Sequence, residues 1–417
     1  MEDLVSRAGL ACRFCGAALS HVFVDLGTSP LANSYLEPED LGRAEAFYPL
    51  LVYVCGECLL VQLPEEERPE AIFSDYAYFS SYSESWLRHA KAYAEAMIGR
   101  FGFGAGHQVV EIASNDGYLL RWFKERGVPV LGVEPAANVA AAAEEAGIPS
   151  RIQFFGEATA REMAAEGIRA DLLVGNNVLA HVPGLNDFVA GLKILLAPAG
   201  VLTMEFPHLL RLMAEDQFDT IYHEHYSYFS FATVRKVFAA HGLTLFDVEE
   251  LPTHGGSLRI YARHDEDVSK PVGERVADLL AREEAAGLGR IETYRSFGER
   301  VQRVKWGLLR FLITAKEEGK SIAAYGAPAK GNTLLNYCGV RTDFLDYTVD
   351  RSPHKQGRYL PGVRIPIHGP DRLRETRPDY VLILPWNLKE EIVGQMADVR
   401  SWGGRFVVAI PEVRVLE

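Results

Sequence analysis

From residue 108 to 264, short apolar runs alternate with stretches of helical spacing. Val109, Val110 and Ile112 form a strand-type run. A turn of small residues follows, Ala113-Ser114-Asn115-Asp116-Gly117, and there a backbone can approach a ligand closely. Helical spacing covers 118–126, and a second buried strand covers 128–133. The alternation continues with helix 136–146, strand 151–155, helix 158–166, strand 171–178, helix 185–196, strand 200–206 and helix 231–241. Strands 244–250 and 257–264 are joined by a turn too short for a helical crossover, so they pair antiparallel. The unit is therefore expected to be a Rossmann-like α/β sheet, parallel except for a hairpin at one edge.

Two further units flank this one. Before it, HVFVDLG (21–27) and YPLLVYVC (48–55) read as strands. The segment 73–83 is dense in aromatics and hydroxyls, which suits either a packing loop or a lid over a polar small molecule, and 86–100 is helical. After it, 268–316 is charged and helical, a spacer. Residues 320–417 form a second α/β unit with strands in SIAAYGA, FLDYTVD, VRIPIHGP, YVLILPWN and RFVVAIPE. The expected division is 1–67, 68–285 and 286–417.

Composition narrows the function classes. A formal net charge of −13 argues against a nucleic-acid or anionic-membrane surface. No apolar run reaches the roughly 18 residues a membrane helix needs. The N-terminus shows no basic-then-apolar leader, so the expected location is the cytoplasm. The oligomeric state stays open, with a monomer the simplest expectation. Cys12-x-x-Cys15 and Cys55-x-x-Cys58 read as one structural zinc site with four thiolates. A unit this small needs such a staple, because it buries too little apolar surface alone. Cys338 stands apart in an apolar stretch, a packed core residue.

The glycine turn carries only Gly117 of a dinucleotide fingerprint, so a pyrophosphate on the helix start is poorly supported. Glu111 at the end of the first strand disfavours a diphosphate further and favours a cationic or hydroxyl-rich ligand. Glu134, at the end of the second strand, has the placement of a ribose-binding acid. These features favour S-adenosylmethionine over NAD. The cofactor edge then comprises Glu111, Ala113, Asn115, Gly117, Glu134, Pro135, Phe155 and Asn176. Asn176, Asn177 and His181 form a polar cluster after the fourth strand. After the fifth strand, Tyr222, His223, Glu224 and His225 sit together; they suit acid–base work, with metal binding by the histidines and polar packing as alternatives. Leu31-Ala32-Asn33-Ser34-Tyr35 mixes apolar and polar residues and could face a ligand. In the last unit, 326–333 is a small-residue loop with Lys330 and Asn332 opening a helix, an anion site without Walker spacing. Basic residues 351–358, ending in Arg358, follow the next strand.

Taken together, the two Cys pairs, EIASNDGYLL (111–120), GNNVLAHV (175–182), YHEHYSYFS (222–230), HGGSLRIYA (254–262), GAPAKGNTLLNYC (326–338) and DRSPHKQGRYLPG (350–362) resemble the sugar C-3′-methyltransferases of deoxysugar biosynthesis. The resemblance covers essentially the whole chain. It implies an N-terminal zinc domain, a central S-adenosylmethionine domain and a C-terminal domain that helps hold a dTDP-linked keto-deoxysugar. It implies carbon methylation beside a C-4′ ketone, as in antibiotic-type deoxysugars. By resemblance His225 is the base, with Tyr222 and Glu224 as its helpers or as alternative proton carriers, and Tyr76 reaches the sugar from the aromatic segment. Asn177 and His181 hold sugar oxygens, and Lys330 and Arg358 hold the diphosphate. The competing readings are an NAD-dependent nucleotide-sugar oxidoreductase or epimerase, and a non-catalytic nucleotide-sugar or metal-binding module.

Overall fold

The computed structural model describes residues 9–70, 80–82 and 84–416. Its described strands lie in three sheets. The first begins with β1 (His21–Ser29), β2 (Tyr48–Val54) and β3 (Val61–Gln62), paired antiparallel in that order. The central sheet is built from β4 (Val109–Ile112), β5 (Val130–Val133), β6 (Ser150–Arg151), β7 (Ala170–Asn176) and β8 (Leu196–Pro207). A short β9 (Ser227–Tyr228) leaves it, and β10 (Leu243–Leu251) and β11 (Ser257–His264) complete it.

The central order is β10-β11-β8-β7-β4-β5-β6. Strands β4 to β8 pair in parallel, and β11 is antiparallel to both neighbours. This is the class I methyltransferase arrangement. The order reverses between β4 and β7, and ligands of such sheets bind at the carboxyl ends around that point. Strand β4 is buried at all four positions, as a strand covered by helices on both faces requires.

Two local expectations change. The strand at 151–155 shrinks to Ser150–Arg151, at the sheet edge, where only one neighbour can supply ladder bonds. Residues 152–155 leave the sheet, with Ile152 and Phe154 exposed. The second change concerns YHEHYSYFS. Its Ser227–Tyr228 portion is β9, which pairs with β3 of the cysteine-bearing unit. Leu63 N–H donates to the Tyr226 carbonyl beside it (3.0 Å).

The last sheet runs β14 (Ile367–His368), β13 (Thr348–Val349), β12 (Ile322–Tyr325), β15 (Tyr380–Ile383), β16 (Arg405–Val408) and β17 (Arg414–Leu416). All its pairs are parallel except β16 with β17. The charged stretch before it does more than space the units. Helix Phe297–Glu317 buries Phe297, Val301, Val304, Leu308 and Leu312, one stripe at helical spacing. Phe23 of β1 stacks on Phe297 with centroids 4.6 Å apart. The first and last sheets thereby share one apolar core with this helix.

Candidate active site

The four cysteines converge. Cys12 Sγ lies 3.5 Å from Cys58 Sγ, and Cys15 Sγ 3.5 Å from Cys55 Sγ. All four sulfurs fall within 4.8 Å of one another. A tetrahedron with Zn–S of about 2.3 Å has edges of about 3.8 Å, so the donor set fits zinc. Gln62 Nε2 donates to Cys12 Sγ (3.2 Å), and its Oε1 accepts from Arg13 N–H (2.9 Å). That outer contact orients a first ligand. Four protein thiols leave no open coordination position, which marks a structural site. Cys338 is buried elsewhere, in helix Ala329–Cys338.

The turn after β4 is held in an unusual backbone conformation. Ala113, Asn115 and Gly117 all have positive φ (57°, 51° and 75°). A Cβ at Gly117 would lie 2.8 Å from Ile148 Cγ1, so glycine is required twice over. Glu134 braces the turn: its carboxylate accepts from Asn115 N–H (3.0 Å) and, across Pro135, from Ala136 N–H (2.9 Å). Burial pushes its carboxyl up, against those two donors. Ser80 and Ser81 N–H donate to Asn115 Oδ1 (2.8 Å) and Asp116 Oδ2 (3.0 Å). Glu111 is fully buried; desolvation, then Asp116 and Glu134, raise it well above the carboxylate range.

Polar atoms without partners among the described residues gather at this edge. They include Ser114 Oγ, Asp116 Oδ1 and both side-chain atoms of Asn176, all buried. Buried polar groups in proteins are nearly always bonded, so a polar ligand fits here. An amino-acid moiety and a ribose diol supply the complementary donors and acceptors of S-adenosylmethionine. Phe155 is half-buried against Phe188, edge to face at 5.5 Å.

Beside it lies a histidine cluster. His225 Nδ1 is 2.7 Å from the Thr220 carbonyl, and a carbonyl only accepts, so the proton sits on Nδ1 and Nε2 is the acceptor. Its ring packs on Tyr222 (4.1 Å) and edge-on to His181 (4.6 Å). Burial brings the imidazole down to about 4, the Thr220 bond opposing and Lys330 adding to it. His181 is held well below its ordinary value by burial, then by His225 and His254. Asn177, at φ 56°, donates from Nδ2 to His254 Nε2 (3.0 Å). His254 in turn meets Trp86 (5.1 Å), which stacks toward Tyr118 beside the glycine turn (6.0 Å). Burial and then Lys330 bring His254 down to about 3.

The predicted residues divide. His225, Tyr222, His181, Asn177 and Lys330 fall in one neighbourhood: Tyr222 and His181 pack on His225, Asn177 bonds His254, and Lys330 acts electrostatically on both His225 and His254. Glu224 is buried and accepts from Asn33 Nδ2 (2.6 Å), which joins the Leu31–Tyr35 stretch to the histidine motif. Tyr35 OH continues to the Ala327 carbonyl (2.6 Å) in the last unit. Lys330 Nζ donates to Asn387 Oδ1 (2.9 Å) and lies over the Trp386 ring (4.9 Å). Among the described residues it has no carboxylate within ion-pair distance, and burial lowers its ammonium against Asp219. Asn332 is fully buried and accepts from Asn336 Nδ2 (3.2 Å). Arg358 is paired with Glu37 (2.7 Å) on a half-exposed face. His223 turns toward the Pro49 carbonyl (3.2 Å), away from His225, and the described residues hold no metal cluster besides the four cysteines. Tyr76 lies outside the described residues. Trp86, Asn387 and Trp386 do not stand out as site residues in the sequence, and His254 stands there only as the start of the HGGSLRIYA motif; folding brings them to the histidine cluster.

Three family models cover the chain: a putative zinc binding domain at 12–73, a methyltransferase domain at 86–248 and a C-methyltransferase C-terminal domain at 252–411. C-methyltransferase NovU of Streptomyces niveus is 37% identical over 416 residues, 100% of this chain and 99% of that protein. Among solved structures, magnesium protoporphyrin IX methyltransferase of Synechocystis PCC 6803 with bound SAM is 15% identical, with a TM-score of 0.33 over 42% of this chain and 78% of its own. An S-adenosylmethionine dependent methyltransferase of Mesorhizobium loti is 16% identical, with a TM-score of 0.34 over 43% and 100%. No helix among the described residues is long and apolar enough to cross a membrane. The full-length identity to NovU, with the four-thiolate zinc site and the class I sheet, means that this chain belongs to the zinc-containing, S-adenosylmethionine-dependent C-methyltransferases.

Proposed function

We propose that the enzyme methylates C-3′ of a dTDP-linked 4-keto-deoxysugar through an enolate, in deoxysugar biosynthesis of the antibiotic type. The division of labour follows the expected units: 1–67 holds zinc, 68–285 binds the cofactor, and 286–417 helps hold the nucleotide sugar. The observation that carries the reading is His225, an imidazole neutral at pH 7 whose Nδ1–H is committed to Thr220, leaving Nε2 as the base. A proton beside a ketone is too weakly acidic to leave without a positioned base and a donor for the enolate oxygen. His225 Nε2 takes the C-3′ proton, and the C–H pair becomes the enolate. Tyr222, packed on His225, supplies the donor side, and Lys330 holds the sugar diphosphate. S-adenosylmethionine supplies an electrophilic methyl to the enolate carbon. Asn177 and His181 bind sugar oxygens and set the approach, a positioning effect. Glu224, held by Asn33, assists from the side.

The NAD reading would need a diphosphate turn that the β4 edge lacks, since Glu111 occupies its base. Incubating the enzyme with a dTDP-4-keto-2,6-dideoxy sugar in heavy water tests the proposal. Wild type should exchange the C-3′ hydrogen and, with S-adenosylmethionine, add one methyl at that carbon. His225→Asn should lose both. Methyl transfer to an oxygen, or exchange that survives in His225→Asn, would refute the assignment.

A further inference from the structure

A base works only if its ring is held in one tautomer and one orientation. For His225 the orienting group is a backbone carbonyl, that of Thr220 (2.7 Å). No side chain at position 220 can tune that carbonyl; only the placement of its turn can. The turn is a short 3-10 segment, Phe218–Thr220. Its middle residue, Asp219, is fully buried and reaches across to the last unit, where Trp386 Nε1 donates to Oδ2 (2.7 Å). On the other side of Thr220, the Ile221 carbonyl accepts from Thr333 Oγ1 (2.9 Å), again in the last unit. The peptide that orients His225 is therefore clamped on both flanks by residues more than a hundred positions away.

The clamp is closely built. Gly255 has φ 91°, and a Cβ there would lie 2.5 Å from Trp386, so the indole can reach Asp219 only past a glycine. Gln217, just before the turn, donates to the Gly255 carbonyl (2.7 Å). A fully buried carboxylate is costly to retain for packing alone. The same Trp386 ring carries the Lys330 ammonium (4.9 Å), the group that reaches toward the histidine cleft.

We infer that Asp219 and Trp386 are positioning residues for catalysis: their hydrogen bond sets the Thr220 carbonyl that fixes the His225 tautomer, and it ties base orientation to the Lys330 end of the substrate cleft. This rests on His225 being the base. It makes the C-terminal unit part of the catalytic machinery and not only a sugar holder. Lys330, Trp386 and Asp219 form one line from the anion-binding helix to the base.

The test compares Trp386→Phe, Asp219→Ala, Asp219→Asn and His225→Asn in the full chain. The readouts are kcat, the KM for S-adenosylmethionine and the His225 tautomer seen by nitrogen-15 NMR. Trp386→Phe keeps the ring and removes the donor. It and Asp219→Ala should lower kcat by about tenfold or more, with the cofactor KM within about twofold. Both should also reduce the Nδ1–H tautomer signal of His225. Asp219→Asn keeps an acceptor and should restore most of kcat. If His225→Asn is inactive while Trp386→Phe keeps wild-type kcat and tautomer, the positioning role is overturned. Should Asp219→Ala fail to fold, Trp386→Phe and Asp219→Asn still decide the matter. Full activity in His225→Asn would instead remove the base reading beneath it.

Discussion

Acidification from pH 7 to pH 5 should destabilise this enzyme partly through His225, and replacing that one residue should reduce the effect by a calculable amount. Burial places the folded imidazole at about 4, below the ordinary histidine value. A folded value below the unfolded one means the folded protein prefers the neutral ring. That contribution is complete above the unfolded value, is lost as pH falls through the interval down to about 4, and is constant below it. With an unfolded value near 6.5, the loss from pH 7 to pH 5 is roughly 2 kcal/mol. His254 at about 3 and His181, well below its ordinary value, act in the same direction. Glu111, Glu134 and Asp219, all raised by burial, act in the opposite one. The clean quantity is therefore the difference between wild type and His225→Asn, whose amide can still donate toward Thr220. Urea titrations followed by tryptophan fluorescence at both pH values give it directly. The wild type should lose roughly 2 kcal/mol more than the variant over that interval. Equal losses in both proteins would refute the burial of a neutral His225, and with it a base held unprotonated well below neutral pH. The kinetic counterpart is an acid limb of kcat/KM that lies well below the ordinary histidine value.

Other outcomes are as specific. Metal analysis should find about one zinc per chain, and Cys58→Ser should lose it together with several degrees of melting temperature, because the closed thiolate site contributes folding energy. A metal-free chain that is folded and fully active would contradict this. Glu134→Gln should weaken S-adenosylmethionine binding in calorimetric titration by about tenfold, the size of one charge-assisted hydrogen bond; unchanged affinity would move the ribose elsewhere. Lys330→Met should raise the KM for the nucleotide sugar, whereas Arg358→Ala should shift stability by less than about 1 kcal/mol, since its pair with Glu37 is half-exposed. A large KM effect from Arg358→Ala alone would return that residue to the diphosphate.

Much of this was legible in the sequence. The central strands follow from apolar runs, and the antiparallel end of the sheet follows from the short link between residues 250 and 257. The cysteine spacing led to the zinc site because two close pairs need only one encounter to complete it. The glycine turn and Glu134 were also legible, since their placement is set within one strand-turn-helix-strand unit. Other features were not. The edge strand at 151–155 looked as long as its neighbours, because apolar pattern does not report how many partners a strand has. The pairing of Arg358 with Glu37, 321 positions back in the chain, has no local signal, and neither has the bond from Arg364 to the Arg43 carbonyl.

The sequence by itself determined the parts: three units, a parallel sheet with a hairpin edge, a four-thiolate site and a set of reactive side chains. These depend on near-neighbour sterics and on periodicity, which act over a few residues. Tertiary structure alone decided how the parts meet. It joined β9 to β3, so that the histidine motif is held by the zinc-bearing unit. It set His181 against His225, Asn33 against Glu224 and Trp386 against Asp219. Those contacts depend on how closed loops and packed faces bring distant residues together, and no local pattern encodes that geometry.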